Sequence, residues 1–504
     1  MKNKNFFPLL LPALLTLVFI AGAQEKVLVR TVAPMDGRSV ITHWNNQIDS
    51  ALKGTPELNL KSFASGVSSS VFIQSDKLQI IDSINVDSVV ADFQVRFSFI
   101  ASGEWQFIGY YNKARNLTVA SRKISERSWN YKILPSKVGW DSHNSITMAL
   151  DRNNCLHLSG NMHNDSLIYF KTEKPFDIST LTKIFPLVSV KDELSSTYPK
   201  FIKSAEGGLI YSYRKGGSGK GITISNIYNE ETKSFERLSD KPLFDGLGEM
   251  SAYATGPRLG PDGLYHVAWL WRDTPDSETN HDLSYARSED FINWENVFGE
   301  KVSLPITPRT DLFTVDPVPV KGGAINGAFS LFFDPDQNPM LAYLKYDASG
   351  NSQVFLTRAD AGKWVHQQLS DWDYRWDFSG PGSLEFHIKI NDARFTTDGK
   401  IKITYWHIKE GNGELIADPL RLSLIEDRGI NLIEETVYPP KLLHPFSKMK
   451  GMSVQLIKVR QPSKVANKYY VLRWETLGKL RFYERREIAV KPSVLRLYKL
   501  SEKK

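Results

Sequence analysis

The stretch DSHNSITMALDRNNCLHLSGNMHND (141–165) carries three histidines whose surroundings separate them. His143 and His163 each stand at the edge of an apolar run, where an imidazole is open to acid–base chemistry or to a metal ion. His157 alternates with apolar residues in CLHLSG and is expected to pack. Downstream, Tyr198 precedes a proline in STYPKF, and Arg214 ends the run LIYSYR just before GGSGKG. Those glycines do not follow the Walker spacing and no helical pattern follows them, which argues against a phosphate loop. They suit a loop that lets a polymer approach the backbone. Tyr253, Arg258, Arg272 and His281, from SAYATGPR and WRDTPDSETNHD, sit in long loops after strands and are candidates for substrate binding. His281 with Asp282 offers metal-ligand types, but a lone HD pair does not place a metal.

Residues so far apart need a scaffold that gathers strand ends. A polar turn followed by a short aromatic-rich strand recurs in LDRNNCLHLSG, SAEGGLIYSYR, LGPDGLYHVAWLW, FDPDQNPMLAYLKY and FTTDGKIKITYWH. Aligning Cys155, Leu209, Leu264, Met340 and Ile401 gives steps of 54, 55, 76 and 61 residues, a period near 55 with one insertion. Between these turns, SEDFINW is an imperfect Asp-box, and ASRKISERSWNYKIL has the same layout one unit earlier. A unit of about four antiparallel strands cannot bury both of its faces alone, so radial stacking around a channel is the economical solution. The expectation is an all-β chain, a β-propeller of seven four-stranded antiparallel blades in a single domain over 24–504. The N-terminal stretch would close the ring or pack on it. Strand-edge positions then face the channel, and His143 and His163 can converge. The best helical pattern, THWNNQIDSALKG (42–54), lies near the N-terminus. A β-sandwich array is the runner-up, disfavoured because no Pro/Ser/Gly linker divides the chain.

Residues 1–23 read as a signal peptide: Lys2 and Lys4, the apolar run FFPLLLPALLTLVFIAGA, then QEK. Cleavage near Ala23 would deliver the chain to the periplasm or outside the cell, and no other stretch is apolar for long enough to span a membrane. Removing the two lysines leaves +5 of the formal +7. Acids and bases are interspersed, which fits an acidic polysaccharide in one positive cleft rather than nucleic acid. Cys155 is the single cysteine, so no intrachain disulfide forms and no cysteine-based zinc site of the usual kind exists. Its apolar run makes it a buried structural thiol.

Taken in order, DSHNSITMALDRNNCLHLSGNMHND, TYPKF, YSYRKGGSGKG, the long segment from NIYNEETK to LSYARSED, and LPITPRT resemble the signature segments of the BNR-4 repeat proteins. That group includes the seven-bladed propeller ulvan lyases of polysaccharide lyase families 24 and 25. The similarity runs over residues 90–420 with compatible spacing. It implies β-elimination at a uronic acid, with the active-site residues falling on His143 of HNS, beside Asn144, on His163 of MHND, on Tyr198 of TYP and on Arg214. A guanidinium can pair with the uronate carboxylate and stabilise the enolate-like transition state, the role that falls to Arg214. A tyrosine titrates near pH 10, and neighbouring cations favour its phenolate, so Tyr198 could be the base and then return the proton to the leaving oxygen. His143 could instead be the base, or share the carboxylate with Arg214. This chemistry needs no cofactor; a structural divalent metal is compatible with the sequence but is not placed by it. A monomer is expected.

Two other classes compete. A sialidase-like propeller hydrolase would need facing carboxylates or a tyrosine with an acid, for which Glu249, Asp273 and Glu385 are present. A non-catalytic glycan-binding propeller would need aromatic platforms such as Trp269, Trp271, Trp372 and Trp376.

Overall fold

In a computed structural model of the chain, the structure describes residues 27–30, 70–73, 78–204, 206–428, 438–460, 468–480, 485–486 and 488–502. The signal peptide and the helical pattern at 42–54 lie outside them. Two compact units are present. In the smaller one, residues 1–77 with 431–437, the described part is an antiparallel pair, Val27–Arg30 with Ser70–Ile73. The larger one, 78–430 with 438–504, is the propeller.

Seven antiparallel sheets make its blades. Blades 1 to 6 follow in chain order, their innermost strands being Ser98–Ser102, Ile146–Leu150, Ser196–Lys203, Ser251–Leu259, Phe329–Phe333 and Ile388–Phe395. Blade 7 joins the two ends of the unit: Leu78–Val89 pairs with Ser493–Glu502, which continues to Lys468–Leu477 and Met452–Arg460. An N-terminal strand therefore closes the ring.

In most blades the second strand is covered on both faces, the exception being Ile401–His407 of blade 6, which alternates buried and half-buried residues. Tyr265–Arg272 is buried along its whole length, and Trp105–Tyr111 and Leu209–Lys215 nearly so. Outer strands such as Asn130–Lys137 are largely exposed. Apolar clusters fill the wedges between blades, for example Tyr169, Tyr211 and Phe235 between blades 2 and 3, and Trp269, Phe244 and Trp294 between blades 3 and 4. Burying such side chains on both faces of every sheet is what makes one blade depend on the next.

The repeated turn has one physical form. Asp151 Oδ1 accepts from Cys155 N at 2.7 Å, Asp334 Oδ1 from Asn338 N at 2.7 Å, and Thr396 Oγ1 from Lys400 N at 3.1 Å. Each turn joins an innermost strand to the second strand, where Cys155, Leu209, Leu264, Met340 and Ile401 stand at or beside the entry. The 76-residue step spans an insertion in blade 4, including Thr314–Asp316, which adds to the sheet. In SEDFINW, Asp290 Oδ1 accepts from Ile292 and Asn293 N, and buried Trp294 donates Nε1–H to Phe291 O.

Candidate active site

The start of an innermost strand and the end of the second strand share one end of each blade, because the two are antiparallel. His143 precedes Ile146–Leu150, and Tyr198 lies on Ser196–Lys203. Arg214, near the end of Leu209–Lys215, is paired with Thr197. Tyr253 is the third residue of the innermost strand of blade 4, and Arg272 ends its neighbour, paired with Ser251. His163 opens a short strand, His163–Asp165, that bridges to Thr197 and so carries the end of blade 2 toward blade 3. His143, His163, Tyr198, Arg214, Tyr253 and Arg272 line one cavity of about 860 Å³.

At its floor, Asp141 holds both histidines. Its Oδ1 accepts from His143 Nδ1 at 2.6 Å and its Oδ2 from His163 Nδ1 at 2.7 Å, while the His143 backbone N–H donates to Oδ1 at 2.9 Å. The rings stack with centroids 4.1 Å apart. Burial opposes the charge of Asp141, but these donors outweigh it and hold the carboxyl well below the usual range. The aspartate is thus an anion, and the two Nδ1 atoms carry the hydrogens. Asp141, His143 and His163 are also the one group among the described residues that could hold a metal ion. Their direct hydrogen bonds leave no gap for an ion between ring and carboxylate.

Tyr198 faces this pair, 6.2 Å from each imidazole centroid. Its φ of 55° lies in the left-handed region, and the pairing register shifts between Thr197 and Lys200. A tyrosine rarely adopts that backbone, and strain of this kind collects at functional positions. The Arg214 guanidinium lies 4.8 Å from the Tyr198 ring and donates Nη1–H to Tyr253 Oη at 3.3 Å. Burial pushes the Tyr198 phenol up to about 12, although Arg214 and Arg272 pull it down. The expected cationic effect is present, but desolvation outweighs it. Ser218 Oγ, from the glycine-rich loop, lies 2.6 Å from Tyr253 Oη.

Other candidates fall elsewhere. Arg272 lines the cavity but spends its Nε–H and Nη2–H groups on the carbonyls of Thr274, Pro275 and Asp276, latching that loop while its charge lies 5.0 Å from the Tyr253 ring. Arg258 is not on the cavity wall; it donates to Leu331 O in blade 5. His281 is held between Asp273 and Asp282, 2.8 Å from each, also off the wall. Asn144 is buried, its carbonyl accepting from Tyr111 Oη at 2.6 Å. His157 is fully buried between Asp151 and Tyr169, and Cys155 is a buried free thiol. In the glycine-rich loop a Cβ on Gly219 would meet the Asp273 carbonyl at 2.7 Å, whereas one on Gly217 would meet nothing within 4 Å, and Ser218 between them lines the cavity.

Sequence reasoning did not single out Asp141, Ser218, Arg96, Lys200 or Lys479, all on the cavity wall. The D-x-H spacing at Asp141 was the available signal for the first. Asp141 is the single carboxylate among the described residues lining the cavity: Glu249 pairs with Arg309 at 3.7 Å, Asp273 with His281, and Glu385 is off the wall. Trp269, Trp271, Trp372 and Trp376 are all buried in interblade cores and present no platform.

Comparisons agree with this architecture. A family model described as BNR repeat-containing family member matches residues 105–372, just over half of the chain, a span holding His143, His163, Tyr198 and Arg214. Among solved structures, the polysaccharide lyase Uly1 is similar with a TM-score of 0.57 at 13% identity, over 84% of this chain and 99% of that one. A PL25 ulvan lyase bound to -[GlcA(1-4)Rha3S]- is similar with a TM-score of 0.52 at 15% identity, over 81% and 98%. No curated relative matches the sequence. No helix among the described residues is long and apolar enough to cross a membrane.

Proposed function

The chain belongs to the BNR repeat-containing family, and from that premise we propose that it is a polysaccharide lyase cleaving an ulvan-like, uronate-containing polysaccharide by β-elimination. The observation that carries this reading is the convergence on one cavity of an aspartate-anchored histidine pair, a strained tyrosine and a buried arginine over its ring.

The uronate carboxylate would dock on Arg214, whose charge offsets the negative charge that builds up when C5 loses its proton. His143 is the base in this reading. Asp141 takes its Nδ1–H, which leaves the Nε2 lone pair to accept the C5 proton, and among the described residues no hydrogen bond reaches that nitrogen. The C4–O bond then breaks as the C4=C5 bond forms. Tyr198, kept protonated at neutral pH, donates to the departing oxygen and regains its proton from His143 or water. His163 stacks on His143 and shares its aspartate, fixing the ring. The reaction calls for no metal; a structural divalent cation is compatible with it. A second reading, Tyr198 as both base and acid, is favoured by the arginines that pull its pKa down.

A single buried carboxylate, already committed to two imidazoles, is a poor basis for hydrolysis by two facing carboxylates, and that commitment also leaves Asp141 unable to serve Tyr198 as the acidic partner of a sialidase-like site. Export after cleavage near Ala23 and action as a monomer complete the proposal. The test is to incubate the mature protein with ulvan and follow ultraviolet absorbance of the unsaturated uronate, with Tyr198→Phe alongside. Absorbance that rises and is abolished in the variant supports the lyase. New reducing ends without absorbance would move the protein to the hydrolases, and bound but uncut polymer to the binding propellers.

A further inference from the structure

Positive charge in the cavity is not confined to Arg214 and Arg272. Arg96, just ahead of the innermost strand of blade 1, Lys200 in blade 3 and Lys479, just after a strand of blade 7, also line it. Among the described residues, the side chains of Arg96 and Lys479 make no hydrogen bond or ion pair, and the Lys200 ammonium donates to the Gly256 carbonyl at 2.7 Å. No carboxylate on the wall is left to answer them, since Asp141 is taken by its histidines. Lys200 is open to the cavity space, and the crowding of its surroundings together with the charge of Arg96 lowers its pKa to about 8. Unpaired like charges facing a common space are costly unless a ligand brings the counter-charge.

The bulge that aims Tyr198 also sets Lys200. With the register shifted between Thr197 and Lys200, the consecutive residues Tyr198, Pro199 and Lys200 all line the cavity. Lys200 therefore lines the same cavity two residues further along the strand than Tyr198.

We infer that Arg96 and Lys200 form a second anion-binding position, distinct from Arg214, that takes a sulfate ester or a second carboxylate on a sugar neighbouring the cleaved bond. The inference rests on the lyase reading for its assay. Lys479 adds charge from the blade 7 side of the same wall.

The experiment compares the wild type, Arg96→Gln, Lys200→Gln and Lys200→Arg on ulvan and on chemically desulfated ulvan. It reads kcat/KM from the unsaturated product and affinity by titration calorimetry with the same two polymers. A loss of about tenfold in each glutamine variant on the sulfated polymer, with less than twofold on the desulfated one and retention in Lys200→Arg, identifies a sulfate ester. Equal tenfold losses on both polymers, again rescued by Lys200→Arg, identify a carboxylate. Unchanged kinetics and affinity in both glutamine variants, or no rescue by arginine, overturn the position. Should the wild type release no unsaturated product from either polymer, the lyase reading fails, and the calorimetric losses alone then uphold or overturn the anion position.

Discussion

Gly221 lies directly beneath the Arg214 side chain: a Cβ at this glycine would fall 2.7 Å from Arg214 Cδ and 2.8 Å from its Cγ. The glycine leaves the space through which the arginine stem reaches the cavity, while its own N–H donates to Ser251 Oγ at 2.7 Å. Gly221→Ala should therefore displace the guanidinium without unfolding the blade. The expected outcome is a fall in kcat/KM of roughly 10- to 100-fold, matching the loss of one charged transition-state contact. The thermal midpoint should stay within a few degrees of wild type.

Asp141 orients two imidazoles through one carboxylate. Asp141→Asn removes the acceptor that fixes the Nδ1–H form of each ring, and turnover should drop by about 10²- to 10⁴-fold, with polymer binding largely kept. The carboxyl is held below its unfolded value, so its contribution to stability is present above about pH 4 and is lost as pH falls further. Stability measured against pH should lose part of its acid limb in the asparagine variant and be unaffected by Asp141 titration between pH 5 and 8.

Tyr198 carries a phenol raised to about 12 from the usual 10. A raised value favours the protonated form in the fold, so this contribution to stability is complete below about pH 10 and disappears as pH climbs through 12. If Tyr198 is the acid and His143 the base, the rate should hold past pH 10 and fall only as the Tyr198 phenol ionises near 12. A rate that instead climbs steadily in the alkaline range would assign the base to Tyr198.

His157 and His143 should separate stability from chemistry. His157 is fully buried, with Asp151 on one ring nitrogen at 3.2 Å and Tyr169 on the other at 2.7 Å. His157→Ala should destabilise by roughly 2–4 kcal/mol, read by denaturant unfolding, whereas His143→Ala should abolish turnover and leave the midpoint nearly unchanged. Burial lowers the pKa of His157, as it does for His266, His366 and His407. The unfolded chain binds more protons there, so stability should decline as pH falls below about 6.5. His281, raised despite its burial by its two aspartates, offsets a part of this.

Cys155 is buried and its thiol is pushed up by burial and by Asp151. A thiol reagent should leave it unmodified in the folded protein and label one equivalent after unfolding; fast labelling of the native chain would contradict its packing.

The propeller was written into the sequence because its cause is local and repeated. Each Asp or Thr that caps a four-residue turn, and each apolar run entering a second strand, acts through neighbours a few residues away. Aligning Cys155, Leu209, Leu264, Met340 and Ile401 was therefore enough to find the blades. The edge positions of His143, His163, Tyr198 and Arg214 were legible for the same reason. Which edge residues face one another was not. Arg258 and Arg272 share the look of loop arginines, yet one bonds the next blade and the other latches its own loop, and four tryptophans with the look of platforms fill wedges between blades. The clasp of Asp141 on two rings 20 residues apart along the chain, the left-handed backbone at Tyr198 and the desolvation of its phenol arise only when blades 1 to 4 close around one cavity. Hydrogen-bond geometry and burial depend on distances between blades, and no local pattern of residues carries those.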